Sequence, residues 1–246
     1  MDPFIPIVRE EAKQLATNIG RAAMHSSFPN DFEYYAIAFE MVDHNDDIVD
    51  LLTLPVLPSS ISQNYQHNTN IKRSHAGVNV LFSDTFQPFS ISLNGTFGRR
   101  FRFLFGQDTV NGTAFQLKLK GESEFDIQIK NGYGVTKVLE RILNNSVRTD
   151  PEQRPFSLYF HNLAFNTSVL VEVVNYSFTQ DDRSNNMLWN YSINLRAIAP
   201  SNSIRLDNKK HITYLIKASV LQKSVNQLYT TTLEAYKLAK TKLLVT

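Results

Sequence analysis

Met187-Leu188-Trp189-Asn190-Tyr191-Ser192-Ile193-Asn194-Leu195-Arg196-Ala197-Ile198 decides the fold class. Side chains alternate between the two faces of an extended chain, so this stretch separates into two sets. Leu188, Asn190, Ser192, Asn194 and Arg196 share one face. Trp189, Tyr191, Ile193, Leu195 and Ala197 make the other and read as core. A strand with one dry and one wet face belongs in an antiparallel sheet that meets water on one side.

Working upstream, Asp181 to Asn186 reads as a turn. Before it lie two more strand-like segments, Pro155 to His161 and Val169 to Phe178, joined by the polar corner Asn162 to Ser168. Val135, Val138, Leu139 and Ile142 have helical spacing, and Asn144-Asn145 can end that short helix. From Leu54 to Gly134 the texture is antiparallel sheet, and eight of the nine glycines fall between Gly77 and Gly134. Phe115, Leu117 and Leu119 alternate with Gln116, Lys118 and Lys120, and Phe125, Ile127 and Ile129 repeat the pattern. Asn94-Gly95 and Asn111-Gly112 are candidate tight-turn dipeptides, because both residue types tolerate positive φ. Asp31 to Met41, with Phe32, Tyr34, Tyr35, Ile37 and Phe39, reads as a further strand. The acidic stretch after it, Asp43 to Asp50, has the spacing of a calcium loop at Asp43, Asn45 and Asp47. It lacks the glycine at the sixth position and carries Leu54 where the closing glutamate belongs, which favours a solvated turn.

The two ends read as helices. Pro6 suits an early helical position, and Val8, Ala12, Leu15, Ile19 and Ala22 step by four and three until Ser26, Ser27, Pro29 and Asn30 stop the pattern. A Ser- and Asn-rich linker from Pro200 precedes a helix from about Lys210 to Leu244. There Tyr214, Ala218, Leu221, Val225, Leu228, Thr232, Ala235 and Ala239 draw a narrow coiled-coil seam. Seam width leaves packing within the subunit and packing between subunits as equal alternatives; Tyr214, Leu221, Val225, Leu228 and Ala235 are the candidate interface residues. The expected organisation is an N-terminal helical arm over 1–30, a β domain over 31–199, a linker over 200–209 and a C-terminal helix over 210–246.

Chemistry is sparse. Twenty-five Lys and Arg against 23 Asp and Glu leave a net charge of +2, which makes no electrostatic case for nucleic-acid or membrane partners. The chain has no cysteine, so disulfides, thiolate metal sites and cysteine nucleophiles are excluded together. No apolar window of ~20 residues could cross a bilayer as a helix, and no signal-peptide pattern opens the chain. The six histidines, at 25, 44, 67, 75, 161 and 211, show no ligand spacing and read as surface or turn residues. Glu122 and Glu124 are a close carboxylate pair in a turn-like stretch and read as solvated charges. Arg99, Arg100 and Arg102 interleave with Phe101 and Phe103, but alternation sends the phenylalanines into the core and the arginines out. No nucleophile elbow, zinc helix, Walker loop or dinucleotide fingerprint appears. The expectation is a protein that is not an enzyme and needs no cofactor or metal.

Two stretches carry a resemblance. Leu54-Pro55-Val56-Leu57-Pro58-Ser59-Ser60-Ile61, followed by Ile91-Ser92-Leu93-Asn94-Gly95-Thr96-Phe97-Gly98, resembles the opening strands of β-barrel proteins in bacteriophage tails and related contractile injection machines. Phe156 to Phe160, Val171 to Asn175 and Trp189 to Leu195 look like the closing strands of tail-tube-like and baseplate hub proteins. The resemblance covers roughly residues 54–199. It implies a mainly β (α+β) fold, an antiparallel tail-tube-like β-barrel or sandwich with an intervening short helix; the long N- and C-terminal helices depart from a plain tube subunit and shift the expectation to a baseplate, tube-initiating or tail-terminal component. It further implies a virion structural protein of the tail, made in the host cytoplasm. As a baseplate, tube-initiating or tail-terminal ring protein, it would pair with copies of itself in a ring and with neighbouring tail or baseplate proteins. A carbohydrate-binding β-sandwich on a virus tail is the alternative from another class.

Overall fold

The computed structural model describes residues 4–28, 31, 33–65, 69–74, 77–82, 86–108, 115–118, 124–149, 154–180, 188–201 and 208–245. Its strands are β1 (Ile37–Val42), β2 (Ile48–Thr53), β3 (Ser60–Asn64), β4 (Thr69–Ser74), β5 (Gly77–Phe82) and β6 (Phe89–Phe97). They continue as β7 (Arg102–Asp108), β8 (Phe115–Lys118), β9 (Glu124–Lys130), β10 (Ser157–Asn162), β11 (Thr167–Gln180) and β12 (Trp189–Pro200). The helices are α1 (Phe4–Ser27), α2 (Gly132–Asn145) and α3 (Asn208–Val245).

Ten strands form one antiparallel sheet in the order β3-β6-β12-β11-β10-β1-β2-β7-β9-β8, and β4 and β5 pair separately as a hairpin. Among the described residues the ladder ends at β3 and β8 and does not close on itself, so of the expected β-barrel or sandwich the antiparallel β character is shown and closure into a barrel is not. Its core face holds Phe39, Met41, Ile91, Leu93, Phe97, Phe160, Ile193 and Leu195, all essentially excluded from water. Helix α2 completes that core with Val135, Leu139, Ile142 and Leu143. Asn131 starts the helix by accepting the Gly134 N–H through its side-chain oxygen at 2.9 Å, which satisfies one of the free first-turn donors. Gly132 is obligatory there, since a Cβ would stand 2.1 Å from the Gly98 carbonyl oxygen.

The opposite face is treated differently along the sheet. Over β1, β2 and β7 it is covered by α3, with Ala38, Leu51 and Leu215 in one cluster and Phe105, Ala218, Tyr214, Leu221 and Val225 in another. Strand β1 is therefore buried at all six positions, which is why its sequence is a nearly continuous apolar run. Over β3, β6, β12 and β11 the same face is wet. The alternation read in β12 holds: Tyr191, Ile193, Leu195 and Ala197 are buried, and Trp189 is half-buried against the core.

Three local expectations are corrected. Asn94-Gly95 is no turn but the middle of β6; Gly95 lies opposite Tyr191, and the missing side chain makes room for that ring. The strand expected from Asp31 begins only at Ile37, because Tyr34 and Ala36 pack with Ala22 of α1 and Ile216 of α3. Phe101 is 53% exposed, and Phe103 joins the cluster beneath α3, edge-on to Tyr229 at 5.6 Å. Asn111-Gly112 and Glu122 lie outside the described residues, and of Glu124 only the backbone, at the start of β9, lies within them.

Candidate functional site

The wet face is built row by row from register. Ser60 lies opposite Asn94, which lies opposite Ser192, which lies opposite Ser177. The next row is Ser62, Ser92, Asn194 and Asn175. Thr96, Asn190 and Thr179 form the row on the other side. Neighbouring strands are ~4.8 Å apart and like-facing residues along a strand ~6.8 Å apart. The result is a lattice of hydroxyls and amides without an ionisable group. Charge enters only in a further row, where Arg196 and Glu172 face each other across β12 and β11 at 3.8 Å and offset one another.

Two rows of this lattice behave differently. In the Ser92 row the polar groups bond to each other: Ser92 Oγ donates to Asn194 Oδ1 at 2.7 Å, and Asn194 Nδ2 donates to Asn175 Oδ1 at 2.6 Å. Beside it a cleft of about 330 Å³ opens, lined by Ser59, Asn94, Thr96, Ser177, Thr179, Asn190 and Ser192 with the backbone of Gly95 and Tyr191. Tyr191 sends its ring to the core side, stacked on Phe97 at 4.7 Å. Its hydroxyl is buried without a hydrogen-bond partner, and burial pushes the phenol well above its ordinary pKa.

The sheet edge is the second feature. Among the described residues strand β3 pairs only with β6, on one side, and Ser60, Ser62 and Asn64 are exposed. The segment Ser-Ile-Ser-Gln-Asn has no charge, no proline and no lysine, the devices that usually blunt an edge.

The candidate interface residues of the last helix divide. Tyr214, Leu221 and Val225 pack on Phe103, Phe105 and Ile127 of their own sheet, so this part of the seam is intramolecular. Leu228 is 60% exposed. The side chain of Ala235 lies outside the described residues.

A buried polar chain was not legible as such. His161 Nε2 stands 2.8 Å from Glu40 Oε2, and His161 Nδ1 stands 3.0 Å from Ser168 Oγ. Glu40 and His161 are fully buried, and His25 is buried with Nε2 at 3.1 Å from the Leu163 carbonyl, so the surface reading of these two histidines is corrected. The available signal was a charged residue inside an apolar strand, Glu40 in β1, matched by His161 in β10. The acidic turn is structural as well. Asp43 Oδ1 accepts the N–H groups of Asn45 and Asp47, both at 2.9 Å, while Asp50 leaves the turn for β2 and meets Arg141 of α2 at 3.1 Å. Among the described residues no three His, Asp or Glu side chains come together to hold a metal. No described helix is long and apolar enough to cross a membrane.

Comparison of the sequence with models of known protein families and with curated protein sequences returns no match.

Proposed function

We propose that the chain is a structural component of a bacteriophage tail, a ring protein of the baseplate, tube start or tail end that works by assembly. The observation that carries this reading is the unprotected edge at β3, uncharged, exposed and, among the described residues, paired on one side only. Such an edge offers a row of backbone donors and acceptors to another chain. An open sheet with an edge at each end can be continued by the sheet of the next copy, and a head-to-tail contact that closes makes a ring. The sequence resemblance to tail proteins over residues 54–199 supports the same reading. The terminal helices supply a route to neighbouring proteins.

The experiment is to count copies of this chain in purified virus particles by quantitative mass spectrometry, and to repeat the count with Ser62→Lys/Asn64→Lys. Both side chains are exposed, so the lysines disturb the edge and not the core. A copy number that is a whole multiple of one rotational symmetry, lost from particles in the variant, fits the proposal. Absence of the chain from particles overturns it.

A further inference from the structure

We infer that the cleft on the wet face of β6, β12 and β11 binds an uncharged carbohydrate chain, independently of any ring assembly. The first argument is chemical composition. Its lining side chains, Ser59, Asn94, Thr96, Ser177, Thr179, Asn190 and Ser192, are hydroxyls and carboxamides, with Tyr191 beside them. Each can both give and take hydrogen bonds, which is the property that complements a sugar hydroxyl. The set contains no cation for a phosphate or nucleic-acid backbone, no carboxylate for a metal or amine, and no aliphatic side chain for a lipid tail.

The second argument is that these groups are unspent. The adjacent row satisfies itself through Ser92, Asn194 and Asn175, and Asn94 Nδ2 donates to Ser60 Oγ at 3.4 Å, whereas among the described residues Thr96, Ser177, Thr179, Asn190 and Ser192 make no side-chain hydrogen bond. A surface held only for solubility would carry charge; this one carries preset, unpaired hydrogen-bonding capacity on a rigid sheet.

The third argument separates a glycan from a peptide. Here the backbone groups of β6 and β12 are already engaged in ladders on both sides, so an extended peptide finds no strand edge in the cleft. Only side chains are on offer, spaced ~4.8 Å across strands and ~6.8 Å along them. The volume of about 330 Å³ lies at the small end of ligand sites, suited to a short stretch of a longer chain entering from the open side.

The test is a titration of the isotope-labelled full chain with cellohexaose, maltohexaose and N-acetylchitohexaose, read by amide and side-chain NMR shifts. The expected result is weak, fast-exchange binding of at least one oligosaccharide, with shifts centred on Thr96, Ser177, Asn190 and Ser192. Asn190→Ala should weaken it by about tenfold, for the loss of two neutral hydrogen bonds. Glu172→Gln, outside the cleft, should leave it unchanged, and unchanged unfolding midpoints show that both variants fold. No shifts with any of the three, shifts centred elsewhere, or equal affinity for Asn190→Ala would overturn the inference. Particle copy number is untouched by either result, so failure here leaves the ring reading standing.

Discussion

The side-chain amide of Asn226 in α3 hydrogen-bonds both backbone groups of Phe103 in β7. Asn226 Oδ1 accepts the Phe103 N–H at 2.8 Å, and Nδ2 donates to the Phe103 carbonyl at 2.8 Å. One turn earlier, Gln222 Oε1 accepts the Phe105 N–H at 3.0 Å, and Nε2 donates to the Thr53 carbonyl at 2.9 Å. The pairing of β2 with β7 covers only Asp50 to Leu52 against Gly106 to Asp108, so two helix amides take the place of a strand where the sheet splits. Buried backbone groups need partners, and α3 is thereby part of the β domain. Replacing Asn226 by Leu leaves both Phe103 groups unbonded and should destabilise the protein by about 3 kcal/mol. Asn226→Asp should do no better, because it keeps the acceptor but loses the donor and buries a charge. Urea unfolding of the three proteins checks the order.

Gly95 and Tyr191 are coupled in the same quantitative way. A Cβ on Gly95 would stand 2.4 Å from the Tyr191 hydroxyl oxygen and 2.6 Å from its ring carbon Cζ. Gly95→Ala should therefore cost about 2 kcal/mol by overpacking. Tyr191→Phe alone should be neutral or slightly stabilising, since the hydroxyl it removes is buried and unpartnered. A double-mutant cycle of Gly95→Ala with Tyr191→Leu should show a coupling of about 1 kcal/mol in the rescuing direction. Strict additivity would refute this account of the glycine.

What was legible in the sequence follows from which forces are local. Strand β12 and helix α2 were readable because their apolar spacing is the direct cause of their burial. Gly95 was misread because Asn-Gly is a turn signal by backbone preference alone, and the decisive contact comes from a residue 96 positions away in sequence, Tyr191. The wet lattice was half visible: Asn190, Ser192 and Asn194 were assigned to one face, but register is needed to place Thr96 and Ser177 beside them. The seam of α3 was visible as a stripe, yet width could not distinguish a sheet of the same chain from a second chain.

A half-buried lysine and a buried histidine make stability depend on pH in a defined direction. Lys223 lies 4.4 Å from the centroid of the Tyr34 ring and donates to the Tyr35 carbonyl. Burial, and secondarily the charge of Arg21, lower its pKa to about 8. Its unfolded value is about 10.4, so the unfolded chain binds more protons between the two values and stability rises with pH across that window. Below pH 8 both states are protonated and the penalty is constant. Solvent screening limits the gain to about 1 kcal/mol. The difference between wild type and Lys223→Met, measured from pH 7 to 10, isolates it and should shrink as pH rises. His25 acts in the same sense at lower pH: burial lowers its pKa, against a smaller raising effect of the Leu163 carbonyl. Its contribution is full above the unfolded pKa of about 6.5 and is lost as pH falls below it. His25→Gln should flatten unfolding midpoints between pH 7 and 5.

Glu40 and His161 should show the cost of breaking a buried pair. Their side chains are at most 1% exposed and 2.8 Å apart. His161→Ala removes a hydrogen-bond partner from a buried carboxyl group and should cost about 3 kcal/mol. Glu40→Gln retains an acceptor of similar shape and should cost less. Equal losses in the two variants would show that the pair is not what matters at this position.

The seam of α3 separates folding from assembly at one heptad step. Leu221 belongs to the cluster with Phe105 and Ala218, whereas Leu228, seven residues later, is 60% exposed. A joint replacement of both by Asp would damage the fold and could not isolate assembly. Leu221→Asp places a charge against the sheet and should lower stability by about 3 kcal/mol. Leu228→Asp should change stability by less than about 0.5 kcal/mol. If the outer part of α3 contacts a neighbouring subunit, Leu228→Asp should reduce incorporation into particles while the unfolding midpoint stays at the wild-type value. Normal incorporation of Leu228→Asp would confine the role of α3 to the hydrogen-bonded turns around Gln222 and Asn226, and, on the proposed ring reading, would leave the β3 edge as the contact between copies.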